Sequence, residues 1–108
     1  MSEAAALIWC PFPDEDTARA AISTLLEERL IACGNIVSAV TSLFVWQSEP
    51  SEGEECGVLF KTTDSLVSSA MSRIEAIHPY ETPAVLGWRV SAAPSTQAWL
   101  ERETTVEK

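Results

Sequence analysis

The first patterned stretch of the chain is an apolar run, Ala4 to Phe12, that contains Leu7, Ile8 and Trp9 and is closed by Pro11 and Pro13. It predicts a buried first strand. From Asp14 the period lengthens. Ala18, Ala21, Ile22, Leu25, Leu26 and Leu30 recur at helical spacing behind Asp14, Glu15 and Asp16, acids that suit the positive end of a helix dipole. This helix is expected to run to about Cys33, where Gly34 and Asn35 tolerate a left-handed turn. Ile36 to Trp46 is rich in β-formers, yet simple alternation fails. Val40, Phe44 and Trp46 carry bulk on one parity, and Val37, Leu43 and Val45 carry it on the other. Such a strand needs cover on both faces, which a second chain would supply.

Gln47 to Glu55 holds Glu49, Glu52, Glu54 and Glu55 with Pro50 and Gly53, and reads as a solvated connection before a return strand over Cys56 to Thr62. A second helix is expected from about Asp64, with Leu66, Val67, Ala70, Met71, Ile74 and Ile77 on one face and Pro79 as its stop. After an HPYETP turn, Ala84 to Val90 forms a fourth strand. Pro94 then breaks the chain before a short helix around Thr96 to Arg102, and the end through Lys108 is expected to fray. The order β-α-β-β-α-β with an added helix is that of an α+β, ferredoxin-like sandwich. In that topology strands one and three are central, strand four pairs antiparallel with strand one, and both helices cover one face. The other face is left bare, as a large apolar patch of the kind that marks an interface.

Composition narrows the function. With 108 residues, 46% of them hydrophobic, residues 1–108 form one domain, for which a radius of gyration of about 13 Å is expected. Sixteen acidic and seven basic residues give a net charge of -9, which repels phosphate backbones and excludes nucleic-acid binding through a basic face. The same charge draws cations. Cys10, Cys33 and Cys56 form no close pair, so at most one internal disulfide is available. The opening MSEAAALIWC has no basic residue, and its apolar run is too short to span a membrane, so a cytoplasmic protein is expected.

Signatures of catalysis are missing: there is no GxSxG, HExxH, glycine-rich phosphate loop or PCxxC. No enzyme is read. His78 is the only histidine, and it reads either as the cap of helix two or as a working imidazole. Topology brings Cys10, the acidic connection and the HPYE turn to one end of the sandwich. Thiolate and imidazole suit copper or zinc, and Glu81 could add an oxygen ligand. Cys10 reads equally as a buried filler, and Cys33 and Cys56 read as fillers. Trp9, Trp46, Trp88 and Trp99 read as packing residues, with Trp46 the one placed to meet another subunit. The glutamates after Trp46 lack the alternating spacing of a calcium loop and read as a solvated face.

Five stretches together resemble the CutA family of divalent cation tolerance proteins: PDEDTARAAISTLLEERLIACGNI (Pro13 to Ile36), VTSLFVW (Val40 to Trp46), VLFKT (Val58 to Thr62), HPYETPAVL (His78 to Leu86) and AWL (Ala98 to Leu100). The resemblance runs from about Leu7 to Leu100, and the order and spacing of its motifs are specific. It implies a ferredoxin-like fold, a tight homotrimer built like the PII signalling proteins, and binding of divalent metals with a link to copper tolerance. Cys33 and Asn35 match its ACxN motif, Trp46 its hairpin tryptophan, and His78, Pro79, Tyr80 and Glu81 its HPYE motif. Cys10 stands where some members carry a metal-associated cysteine. Relatives usually follow the tryptophan with an acid or Gln and then Gly-Lys. This chain has Gln47-Ser48-Glu49-Pro50 there, a departure at the hairpin tip.

The first expected function is therefore a trimeric metal-responsive protein holding copper at Cys10, His78 and Glu81. The second is a PII-like signalling or scaffold trimer that binds a small molecule or protein partner in an inter-subunit cleft near Tyr80 and Glu81, with Cys33, Asn35, Trp46 and Tyr80 belonging either to that cleft or to a structural motif. A cysteine–histidine enzyme is the third, and the absence of a recognisable oxyanion loop counts against it.

Overall fold

The first apolar run divides between two faces. In β1 (Ala5–Phe12), Ala6, Ile8, Cys10 and Phe12 are fully buried, whereas Leu7, Trp9 and Pro11 remain half-exposed. The computed structural model, which describes residues 4–105, shows the reason: the first two helices pack their buried residues against the Ile8, Cys10 and Phe12 side of the sheet. Residues 106–108, part of the tail expected to fray, lie outside the described residues.

Asp14 caps α1 (Glu15–Glu27), its Oδ1 accepting the Thr17 N–H at 2.8 Å, and the helix buries Ala18, Ala21, Ile22 and Leu25. The helix stops at Glu27, well short of the expected Cys33. Arg29 takes a left-handed φ of 57°, its N–H bonds to the Leu26 carbonyl at 3.1 Å, and the Leu30 N–H reaches back to the Leu25 carbonyl at 3.0 Å. This is the Schellman closure, with an arginine where glycine is usual. Gly34 is therefore no helix cap. It lies in β2 (Cys33–Trp46), where an added Cβ would come within 2.7 Å of the Ile22 side chain.

The expected acidic connection is instead strand. β3 (Glu49–Thr63) pairs with β2 out to Trp46 and Glu49, which leaves only Gln47 and Ser48 as the turn. Their φ values of 50° and 68° have the signs of a type I′ hairpin turn. The hairpin stretches the molecule to 47 × 25 × 22 Å and raises its radius of gyration to 14.5 Å, above the compact expectation. A bulge interrupts the β2–β3 ladder between Val37 and Val40, with Ala39 at φ 59°. It swaps the faces of β2. Val37 opposes Gly57 and Val40 opposes Glu55, so odd residues before the bulge and even residues after it share one side. Alternation fails in the sequence for that reason.

α2 (Val67–Ile77) buries Ala70 and Ile74 and begins later than Asp64. β4 (Leu86–Val90) begins later than Ala84. α3 (Pro94–Thr104) takes Pro94 into its first turn, where a missing N–H costs nothing, and buries Leu100. The sheet order is β2-β3-β1-β4, antiparallel throughout, with β1 and β3 central as the ferredoxin-like order requires. Ile8, Phe12, Leu25, Val58, Phe60 and Ile74 pack between sheet and helices. On the opposite face Trp9 lies across Gly57, where any Cβ would run into its ring. Gly87 faces Val67 and Met71 of α2, so its neighbours Leu86 and Trp88 point away from the helices and stand 62% and 46% exposed. The bare apolar face expected from the topology is present.

Candidate functional site

The site is built where α2 runs out. The His78 N–H closes the helix on the Ile74 carbonyl at 2.9 Å, and its ψ of 141° turns the chain into Pro79. The imidazole then stacks on Phe12, with centroids 4.4 Å apart at 23°. Nδ1 lies 3.1 Å from the Tyr80 N–H and Nε2 lies 2.8 Å from the Pro11 carbonyl. An amide N–H only donates, so Nδ1 is the acceptor and the ring proton sits on Nε2. His78 is thus the cap of α2, and its ring ties that helix end to the end of β1.

Cys10 sits beside it. The thiol is fully buried, opposite Val58, and lies 3.6 Å from the same Pro11 carbonyl. Burial, and then the charge of Glu55, push the thiol up to about 12, so it stays protonated at neutral pH. Cys33 lies at the start of β2, its Sγ 3.6 Å from Asn35 Oδ1, and Cys56 packs partly buried against the core. All three cysteines are free. Glu81 is exposed on the turn after α2. Cys10 and His78 both approach the Pro11 carbonyl, while Glu81 stands on the exposed turn. Among the described residues, no three His, Cys, Asp or Glu side chains gather as a metal site.

A groove of about 870 Å³ opens between the hairpin end and the Pro79–Ala84 turn. Phe44 and Trp46 line it from β2, Glu55 from β3, and Tyr80 and Glu81 from the turn. The Tyr80 O–H donates to Glu55 Oε2 at 2.7 Å, and its ring tilts against His78 at 4.8 Å. Burial, followed by the Glu55 carboxylate it bonds, pushes the phenol up to about 12. Trp46 and Tyr80 thus line one groove within the chain. Cys33 and Asn35 do not join it, because they belong to the first rungs of β2, opposite Lys61 and Leu59. Glu55 and Phe44 were not singled out from sequence. The parity that aligns Phe44 with Glu55 depends on the bulge, and Glu55 was counted with a solvated loop.

The architecture and these motifs coincide with one known family. The model of the CutA1 divalent ion tolerance protein matches residues 6–103. This chain belongs to that family. The divalent-cation tolerance protein CutA of Thermus thermophilus is 37% identical over 93 residues, covering 85% of this chain and 90% of its own. Its namesake from Pyrococcus horikoshii is 35% identical over 80 residues, covering 74% and 78%. Among solved structures, CutA1 from Ehrlichia chaffeensis superposes with a TM-score of 0.92 at 36% identity, covering 98% of this chain and all of that one. The Thermus thermophilus structure gives 0.87 at 33% identity, covering 94% and 99%. Among the described residues no helix is long and apolar enough to cross a membrane.

Proposed function

We propose that the chain serves divalent-cation tolerance as a cytoplasmic homotrimer, without enzymatic chemistry, taking copper as cargo at the His78 end of the sheet. One observation carries the metal reading: Cys10 and His78, the softest donors at that end, converge on the Pro11 carbonyl. The pair is closed in the state described. Copper held by this pair would displace the thiol proton and take Nε2 from the Pro11 carbonyl, leaving the ring proton on Nδ1, where it can no longer accept the Tyr80 N–H, so uptake is coupled to movement of the turn that also carries Glu81. Trimerisation is supported by the apolar sheet face, on which Leu7, Trp9, Leu59, Leu86 and Trp88 lie side by side in the strand register. Covering it would give an interface of the obligate kind, commonly above about 2,000 Å².

Cu(I) and Cu(II) titrations of wild type, Cys10→Ser and His78→Ala, each at unchanged assembly, test the site. Either substitution is expected to weaken copper binding at least tenfold (about 1.4 kcal/mol). Variants that bind as tightly as wild type would remove copper from this pair. A second reading, a ligand-binding trimer, is favoured by the groove between hairpin and turn, which is large enough for a small molecule.

A further inference from the structure

Two half-buried charges of opposite sign, Lys61 and Glu55, stand unmatched on the side of the sheet that carries Trp9. Lys61 lies on β3 opposite Leu7 of β1 and Cys33 of β2, so uncharged side chains flank its ammonium on both sides. Among the described residues, Arg19, Arg73, Arg89 and Arg102 each hold a carboxylate and Arg29 donates to the Glu103 carbonyl. Lys61 makes no ion pair or side-chain hydrogen bond among them. Glu55 stands on the same strand at the same parity, hence on the same side. Its Oε2 accepts the Tyr80 O–H, a neutral donor, while its Oε1 takes no hydrogen bond among the described residues. No Lys, Arg or His side chain of the same chain lines the groove around it. Lys61 and Glu55 are about 20 Å apart along β3, too far to pair within one chain.

Covering this face with another chain strips water from both groups. An ammonium or a carboxylate left alone under such a cover costs far more than a matched pair does. Contacts in a three-fold ring are heterologous, each joining one region of a chain to a different region of its neighbour. Such a ring can set the Lys61 end of one sheet against the Glu55 end of the next at all three contacts, leaving neither charge over.

We propose that Lys61 of each chain enters the neighbouring chain's groove and pairs with the free carboxylate oxygen of the partner's Glu55, fixing the register of the three-fold interface. The proposal rests on the trimer reading and is independent of copper.

The test is subunit exchange in the full chain. Isotope-labelled and unlabelled protein are mixed in urea just below the wild-type dissociation midpoint, and native mass spectrometry follows the appearance of mixed trimers. Lys61→Met, and Glu55→Gln, which keeps an acceptor for the Tyr80 O–H, are each expected to speed exchange about tenfold, because either leaves a charge unmatched under the partner chain. The double variant removes both charges and is expected to exchange no faster than either single one. Acceleration of about a hundredfold in the double variant, the product of two independent effects, would overturn the pair. Single variants that exchange at the wild-type rate or slower would overturn it as well. If a single variant does not assemble, the double one decides: recovery of the trimer supports the pair, and its absence overturns it. Wild-type protein that stays monomeric at micromolar concentration would remove the trimer reading itself, and the proposal with it.

Discussion

The ring of His78 commits both nitrogens to backbone partners and one face to Phe12. A histidine before proline announces a helix end in sequence, but its ring partner Pro11 lies 67 residues away, beyond any local pattern. Cys10 stood even between filler and ligand, and its place among Ile8, Phe12 and Val58 makes it a filler in the closed state. That burial has a pH signature. The folded thiol is raised from 9.0 to about 12, so its contribution is fully present below pH 9 and is lost as pH climbs toward 12. The whole interval corresponds to about 4 kcal/mol per chain as an upper bound. Tyr80 titrates in the same alkaline window and its loss has the same sign, so the comparison must be with a variant that keeps Tyr80. Urea midpoints at fixed protein concentration are expected to fall more steeply from about pH 8 to about pH 11 in wild type than in Cys10→Ala. Parallel slopes would show that the thiol is not held neutral by the fold.

At the scale of elements, the helices and the strand order were legible because the hydrophobic period changes from two to about 3.6 and back along the chain. Two boundaries were not. The EERL stretch continues the helical pattern, and only backbone closure at Arg29 ends α1 at Glu27. Glu49 to Glu55 offers no apolar face, yet the ladder to β2 holds it as strand, because pairing overrides composition there. Both the turn and the bulge place residues other than glycine at positive φ: Gln47, Ser48 and Ala39. Such positions carry conformational cost that glycine or asparagine relieves. The double substitution Gln47→Asn, Ser48→Gly is therefore expected to stabilise the protein by about 0.5 to 1 kcal/mol, read as a raised denaturation midpoint. A lowered midpoint would mean that the two side chains make contacts outweighing the turn preference.

For the molecule as a whole, Leu86 and Trp88 stand exposed on the side of the four-stranded sheet away from α2, and the long hairpin carries Leu43 and Val45 at 75% and 70% exposure. These positions were visible in the sequence as bulk on both parities. Part of that bulk proves to be the face change at the bulge, and the exposed remainder is what calls for a partner chain. The groove was less legible than the fold, since it joins residues from β2, β3 and the turn after α2. Native mass spectrometry of the copper-loaded protein tests the central claim in one reading. A mass of about 35 kDa is expected, three copies of the 11.8 kDa chain, carrying up to one copper ion per chain. A monomer at 11.8 kDa, or a trimer that emerges free of copper after loading, would contradict it.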